Sequence, residues 1–191
     1  MKSERGHLIR LHPAARVEDL TDEGLVAACA TEDRAARALL FERYVDDVHR
    51  FVRRMRGSDP DCVDDLVQAT FLAAFQSAAK FRGGHVRGWL FGIACNQVRG
   101  YARTEIRRKR ALDSVTDFAT TPRVSDPIFA AKLLAAIAAL SHDLRAALVL
   151  VDLEGERGHE AAAVLGIPTG TLWRRVFEAR QTLRAAIGGA R

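Results

Sequence analysis

The sequence predicts an all-α protein made of two small helical domains joined by a flexible linker. Apolar residues recur at helical spacing through most of the chain, and the alternation typical of strands is absent. The periodicity stops between about residues 111 and 126, in a stretch rich in Ser, Thr, Asp and Pro. A chain of 191 residues, 48% of them hydrophobic, is long enough for two such cores.

These observations predict an N-terminal extension over 1–19, a first domain over 20–110, a linker over 111–126 and a second domain over 127–188. The linker is expected to be extended and mobile in the free protein, and its length suits two domains that are separately placed.

Four helices are predicted in the first domain. Thr21 resembles the start of the first helix, and Thr31 or Asp33 begins the second. The second helix closes with several arginines, which suit the negative end of its dipole, and Gly57 ends it.

The third helix has Ser58 or Asp59 as its cap and Pro60 at its first helical position. Four carboxylates crowd its first turns, where the helix dipole favours negative charge: Asp59, Asp61, Asp64 and Asp65. A loop over 80–88, containing two adjacent glycines that break the helix, separates it from a fourth helix that begins near Trp89.

The second domain opens with a strongly apolar helix that starts at Pro127. Ser141 or Asp143 caps the next helix, and residues 154–158 form a turn. A short helix over 159–165 leads to a tight turn at Gly166.

The last helix starts at Pro168 or Thr169, so the short helix, the glycine turn and the long helix make a helix-turn-helix. Ala162 permits close helix crossing, and three apolar residues hold the last helix in the core: Ile167, Leu172 and Val176. The residues left largely outside are Thr169, Thr171, Trp173, Arg174, Arg175, Phe177, Glu178 and Arg180. Arginines on such a helix can read guanine edges in the major groove, while a plain helical hairpin is the alternative.

The net charge of +5 is unevenly distributed. Cations accumulate towards the end of the fourth helix, at Arg99, Arg103, Arg107, Arg108, Lys109 and Arg110. Beside the aromatic residues Phe81 and Trp89, such a run suits single-stranded DNA, which needs cations for phosphates and flat rings for bases. A solvated basic face is the alternative.

Three cysteines, Cys29, Cys62 and Cys95, stand far apart and form no CxxC pair, so we expect reduced, largely buried thiols. The sequence has no phosphate-binding loop, metal-binding HExxH motif or ordered catalytic triad, so neither an enzyme nor a cofactor or metal site is predicted. It also lacks a signal-peptide core and an uncharged membrane-spanning stretch, which predicts a cytoplasmic protein.

From about Leu20 to Ile187 the chain resembles bacterial RNA polymerase sigma factors of the extracytoplasmic-function (ECF) group, the compact kind with only domains two and four. The first motif is Asp65-Leu66-Val67-Gln68 with Phe71, followed by Trp89-Leu90-Phe91, Ile93-Ala94 and Asn96. The second motif is Leu165-Gly166-Ile167-Pro168 with Gly170-Thr171, then Arg175, Ala179 and Arg180. The two motifs stand in the order that the family has.

This resemblance implies three sets of site residues. Those that would dock on the β′ clamp of core RNA polymerase are Asp64, Asp65, Gln68 and Phe71. Those that would contact the −10 promoter element, where loop 81–87 captures a flipped base, are Phe81, Arg82, His85, Trp89, Asn96, Arg99 and Arg103. Those that would enter the −35 major groove are Thr169, Thr171, Trp173, Arg174, Arg175, Phe177, Glu178 and Arg180. The implied partners are core polymerase (β′ clamp and β flap), promoter DNA and an anti-sigma factor.

Several positions depart from the family pattern. Gly92 and Cys95 stand where arginines are common, Gly100 where aspartate is common, and Ala161 where isoleucine is usual. In the last helix a commoner basic, serine and arginine set is replaced by Trp173, Arg174 and Glu178. These differences affect the expected promoter sequence, not the class.

Two other functions are alternatives. The first is a stand-alone helix-turn-helix regulator in which the first bundle serves dimerisation or ligand sensing. The second is an enzyme acting on nucleic acid, for which the sequence offers no cluster of carboxylates or placed nucleophile beside a basic groove.

Overall fold

The computed structural model of the chain describes residues 17–56, 62–112 and 127–188. Eight α-helices and a few short turns make up these segments, and no strand occurs among them, which confirms the all-α prediction. The helices are α1 (Asp22–Ala30), α2 (Arg34–Arg56), α3 (Val63–Ser77), α4 (Val86–Leu112), α5 (Pro127–Ala139), α6 (His142–Leu148), α7 (Gly158–Leu165) and α8 (Thr169–Gly188).

The first two helices begin where side-chain caps are available. The Thr21 hydroxyl accepts a hydrogen bond of 3.2 Å from the Gly24 amide, which confirms Thr21 as the start of α1. Asp33 Oδ1 accepts from the amides of Ala35 and Ala36, at 2.8 and 3.1 Å, and so caps α2.

The third and fourth helices differ from the prediction at their ends. Helix α3 begins at Val63 with Cys62 at its N-cap, while the predicted cap and breaker positions 57–60 lie outside the described residues. Helix α4 begins at Val86, not near Trp89, because the side chain of Val86 is buried and the Trp89 amide already donates to the His85 carbonyl at 3.0 Å. It continues to Leu112, two residues beyond the predicted domain end.

Helices α1–α4 pack around an apolar core. Phe51 of α2 and Phe91 of α4 stack at its centre, with ring centroids 4.4 Å apart. The three cysteines are reduced and buried, as predicted. Burial raises the pKa of Cys95 to about 12, so this thiol stays protonated and unreactive.

The second half follows the predicted order. Helix α5 starts at Pro127, and the Ser141 hydroxyl accepts from the Leu144 amide at 3.4 Å at the start of α6. A π-helical turn, Val149–Leu153, extends α6 and was not predicted. The glycine turn is as expected: Gly166 has φ of 64°, a left-handed conformation that glycine adopts without strain.

The two halves are packed against each other. One continuous buried cluster contains Phe51 and Leu90 from the first half together with Ala161, Leu172 and Val176 from the second. Of the predicted linker 111–126, residues 113–126 lie outside the described residues. The length of the linker had suggested separately placed domains, whereas burial of apolar surface between them joins the two halves in this structure.

Within the described ranges, each helix is too short or too polar to span a bilayer.

Candidate nucleic-acid interface

The first two turns of α3 carry three of the four predicted polymerase-binding residues. Asp64, Asp65 and Gln68 are exposed, while Leu66 and Val67 between them are buried, as helical periodicity requires. The His49 Nε2 atom lies 3.5 Å from Asp64 Oδ1. These side chains therefore form an open polar surface that a basic partner could contact.

Phe71 does not belong to that open surface. Its side chain is only 2% exposed and packs against Phe41, with ring centroids 4.8 Å apart. The apolar side chains that reach solvent nearby are Phe41 and Leu72, at 41% and 54% exposure. Sequence reasoning missed both, although each interrupts the polar face of an amphipathic helix, which was the available signal.

The loop between α3 and α4 brings Phe81 and Trp89 together. Their ring centroids lie 5.1 Å apart at an angle of 52°, and both rings are half-buried against the core. Gly83 and Gly84 have φ of 85° and 97°, conformations that explain the glycine pair. The Gly84 amide donates to Glu23 Oε1 at 2.7 Å, which ties the loop to α1.

The polar residues of this loop and of the helix start that follows it differ in their contacts. Arg82 is exposed and makes one long bond of 3.4 Å to the Ala79 carbonyl. His85 Nδ1 lies 3.5 Å from Glu156 Oε2, a carboxylate of the second half of the chain. Arg87, which follows in the first turn of α4, is also paired with Glu156, at 2.8 Å.

Asn96, Arg99 and Arg103 lie on one side of α4 because they follow each other at spacings of three and four. Asn96 and Arg103 are exposed. Arg99 is half-buried, and its Nη2 donates to Asp143 Oδ1 at 2.5 Å. The structure therefore places this predicted DNA-contacting set on one face, with its middle member held by a carboxylate of α6.

The helix-turn-helix has the expected geometry. After α7, the Ile167 amide donates to the Ala162 carbonyl at 3.0 Å, which closes the turn around Gly166. Leu172 and Val176 of α8 are fully buried. A β-carbon on residue 158 would lie 2.6 Å from the Trp173 ring, so glycine at that position lets the ring pack closely against the first turn of α7.

The outward face of α8 is mixed aromatic and charged. Trp173 is 47% and Phe177 62% exposed, and the other exposed members of the predicted −35 set are Thr169, Arg174, Glu178 and Arg180. Thr171 and Arg175 are only half-buried rather than fully outside, since they flank the buried Leu172 and Val176. This face carries the groups that base edges and phosphates require.

Two arginines of α8 are already paired within the chain. Arg175 Nη2 donates to Asp143 Oδ2 at 2.9 Å, and Arg180 binds Asp152 through Nε at 3.0 Å and Nη2 at 2.5 Å. Asp143 thus bridges Arg99 of the first half and Arg175 of the second. Sequence reasoning assigned no such role to Asp143, because the pairing joins positions far apart in the chain.

In the segments that the structure describes, no group of three histidine, cysteine or carboxylate side chains is placed to hold a metal ion.

Comparison with known families agrees with this geometry. The model for "Sigma-70 region 2" matches residues 40–110, which include α3, the loop and most of α4. The model for "Sigma-70, region 4" matches residues 130–183, which include the helix-turn-helix. These two matches place the chain in the class of sigma-70 factors.

Two curated relatives narrow the class. The ECF RNA polymerase sigma factor SigE of Mycolicibacterium smegmatis is 34% identical over 167 residues, which are 81% of this chain and 64% of that protein. The ECF RNA polymerase sigma-E factor of Salmonella typhimurium is 31% identical over 181 residues, 87% of this chain and 94% of that protein. The chain belongs to the ECF RNA polymerase sigma factors.

Two solved structures share the fold. The sigma factor RpoE from Bartonella quintana, in complex with the anti-sigma factor NepR, aligns with a TM-score of 0.67 and 26% identity over 81% of this chain and 98% of that one. CnrH, in complex with the cytosolic domain of CnrY, aligns with a TM-score of 0.64 and 26% identity over 89% of this chain and 99% of that one.

Proposed function

We propose that this chain binds core RNA polymerase and directs it to promoters by contacting the −35 and −10 elements and assisting promoter melting. It acts as a non-enzymatic specificity subunit in the cytoplasm. The observation that carries the proposal is the helix-turn-helix of α7, Gly166 and α8, whose outward face presents Arg174 and two exposed aromatic rings. Membership in the ECF sigma factors supports the same function.

The distribution of charge on the surface assigns a different partner to each region. The exposed carboxylates Asp64 and Asp65, with Gln68, contact a basic surface on the polymerase β′ clamp, which leaves α4 free for DNA. Loop 81–87 captures a base flipped from the −10 element, and Phe81 and Trp89 supply the adjacent rings. The −35 contacts come from α8, and the second domain meets the β flap.

The free energy needed to open the DNA indicates that the chain requires polymerase for promoter melting. Separating DNA costs about 1.4 kcal/mol for each base-pair step. A base stacked on an aromatic side chain returns about 1–3 kcal/mol. One or two captured bases cannot offset several opened steps, so the chain needs the contacts that polymerase adds.

An anti-sigma factor is the proposed regulator. The sigma factor RpoE has a known structure with the anti-sigma factor NepR, and it aligns with 81% of this chain. CnrH has a known structure with the cytosolic domain of CnrY, and it aligns with 89% of this chain. A partner of this kind that covers α3 would block polymerase binding and, by linkage, promoter recognition.

The experiment mixes the purified chain with sigma-free core polymerase and a library of promoter sequences, and sequences the transcripts. Specific transcripts that depend on the chain support the proposal. Tight binding to duplex DNA as a dimer, with no effect on core polymerase, would instead favour the stand-alone regulator.

A charge reversal tests the docking surface. Asp65→Arg is expected to weaken binding to core polymerase at least about tenfold, because it places a cation against the basic clamp surface. Asp19→Arg makes the same charge change at an exposed site before α1 and serves as the control. Equal affinities for the two variants would remove α3 from the docking assignment.

A further inference from the structure

The outermost stripe of α8 carries two charged side chains of opposite sign. A helix has about 3.6 residues per turn, so the side of α8 that lies opposite the buried Leu172 and Val176 can be read from the sequence. The exposed residues of this outer stripe are Arg174, Phe177, Glu178 and Gln181. Among the described residues, neither the Arg174 guanidinium nor the Glu178 carboxylate has a hydrogen-bond or ion-pair partner. Both groups are therefore available to a ligand of this face.

The two flanks of α8 differ from its outer stripe. Arg175 on one flank donates to Asp143 Oδ2 at 2.9 Å, and Arg180 on the other flank donates through Nη2 to Asp152 Oδ1 at 2.5 Å. When a recognition helix lies in the major groove, its flanks approach the phosphates on either wall, and its outermost side chains reach the base edges. The outer stripe of α8 is therefore the part of the helix that is placed to contact bases.

The Glu178 carboxylate needs a hydrogen-bond donor on the DNA. Phosphates repel it and offer no proton, so a contact with the DNA backbone is unfavourable. The hydrogen-bond donors on base edges in the major groove are the amino groups of cytosine and adenine. Adenine presents its amino group beside the acceptor N7, which repels the second carboxylate oxygen, whereas cytosine has no acceptor of its own on this edge. The chemistry of the groove therefore favours cytosine as the base that contacts Glu178.

We propose that Glu178 determines a cytosine in the −35 element by accepting a hydrogen bond from the amino group of that base. The inference rests on the proposed function, which places α8 in the −35 major groove. Arg174, on the same stripe, reads a guanine through its two acceptors O6 and N7. Four residues separate the two side chains, about 6 Å along the helix axis, which corresponds to about two base-pair steps. The cytosine therefore lies within about two steps of the position that Arg174 reads.

The test is a binding-site selection with the full chain bound to core polymerase and duplexes randomised over the upstream element. The wild-type chain should select cytosine at one position, and Glu178→Ala should reduce that preference at least about fivefold. Glu178→Gln keeps the shape of the side chain but adds a donor, and an amide matches the N6 and N7 groups of adenine. Its preference at the same position should therefore change from cytosine to adenine.

Glu42→Gln is the matched control. Glu42 is exposed on α2, so this variant makes the same chemical change away from α8 and should leave the selected motif unchanged. Loss of a carboxylate from α8 also reduces repulsion of phosphates, but that gain in affinity is the same for every sequence. The preference between bases at one position separates base reading from this uniform effect. Both variants at position 178 should fold, because the side chain is exposed.

The inference is supported if Glu178→Ala loses the cytosine preference and Glu178→Gln replaces it with adenine, while Glu42→Gln keeps the wild-type motif. It is overturned if the wild-type motif has no cytosine within about two steps of the position that Arg174→Ala relaxes. It is also overturned if both variants at position 178 select the wild-type base at every position. In either of these cases, chain-dependent transcripts from core polymerase leave the proposed function intact. If the wild-type chain yields no such transcripts, the proposed function fails, and the inference fails with it.

Discussion

Arg145 is the side chain whose loss should most directly weaken the second half of the protein. Its guanidinium donates to four backbone carbonyls: to Met55 at 2.7 Å, to Ile137 at 3.0 Å, to Leu140 at 3.1 Å and to Ala138. Two of these acceptors, Ile137 and Ala138, lie in the last turn of α5, and Leu140 directly follows that helix. Met55 lies at the end of α2. One arginine therefore caps two helices and joins the two halves.

The expected magnitude follows from these bonds. Each acceptor left without a donor costs about 1 kcal/mol at the low end of the usual range, or about 4 kcal/mol for four. Arg145→Met recovers about 1 kcal/mol through burial of the methionine side chain. We therefore expect the free energy of unfolding to fall by about 3 kcal/mol.

Urea unfolding followed by far-ultraviolet circular dichroism measures this change. Arg53→Met removes an exposed arginine from α2 and should stay within about 0.5 kcal/mol of wild type. A loss of less than about 1 kcal/mol for Arg145→Met, or a loss no larger than that of the control, would refute the capping role. The transition should remain single, because one apolar cluster includes both halves.

Burial, together with the Arg99 cation, lowers the pKa of His142 to about 4, so the folded state binds fewer protons than the unfolded state between that value and 6.5. The free energy of unfolding should therefore fall as the pH drops through this window, by about 1–2 kcal/mol after allowance for residual solvent exposure. Denaturant titrations at a series of pH values measure this fall, which should be smaller in His142→Gln. Gly166→Ala should lower stability by about 1 kcal/mol because of its left-handed backbone, whereas Gly170→Ala, in α8, should raise it by about 0.5–1 kcal/mol; equal midpoints in thermal melts would contradict this contrast. Arg174→Ala should relax one position of the −35 motif by about 1–3 kcal/mol in a binding-site selection, and an unchanged motif would remove Arg174 from the base-reading set.

Local signals predicted most of the fold. A hydroxyl at Thr21, another at Ser141 and the glycine at position 166 each determine a helix end through their own hydrogen bonds or backbone freedom. Helical periodicity placed the buried residues of α8 correctly because a single face of that helix packs on the core. The resemblance to sigma factors rested on the same segments.

Two features that the sequence did not indicate have physical causes that local patterns do not contain. Gly88 was taken as part of the loop, but it lies inside α4, where its missing side chain admits Val164. The motif predicts Phe71 as a polymerase-binding residue, and it does not indicate that the ring packs in the core against Phe41. The place of Gly88 inside α4 and the burial of Phe71 both depend on packing against another helix, which a local pattern does not show.

The contact between the two halves could not be predicted from the sequence either. Arg87 and Glu156 are 69 residues apart in the chain, and neither stands in a pattern that indicates a partner. In the sequence, Arg87 stands in a segment that resembles an ordinary helix start, and Glu156 stands in one that resembles an ordinary turn. Only the fold brings the charges together, so pairs of this kind fall outside what periodicity and capping signals can show.

Mapping of transcript start sites tests the central claim most directly. Core polymerase alone and core polymerase with the wild-type chain are supplied with fragmented bacterial genomic DNA, and the 5′ ends of the transcripts are sequenced. We predict new start sites that share a two-part upstream sequence with one fixed spacing. Start sites identical to those of core polymerase alone would contradict the account.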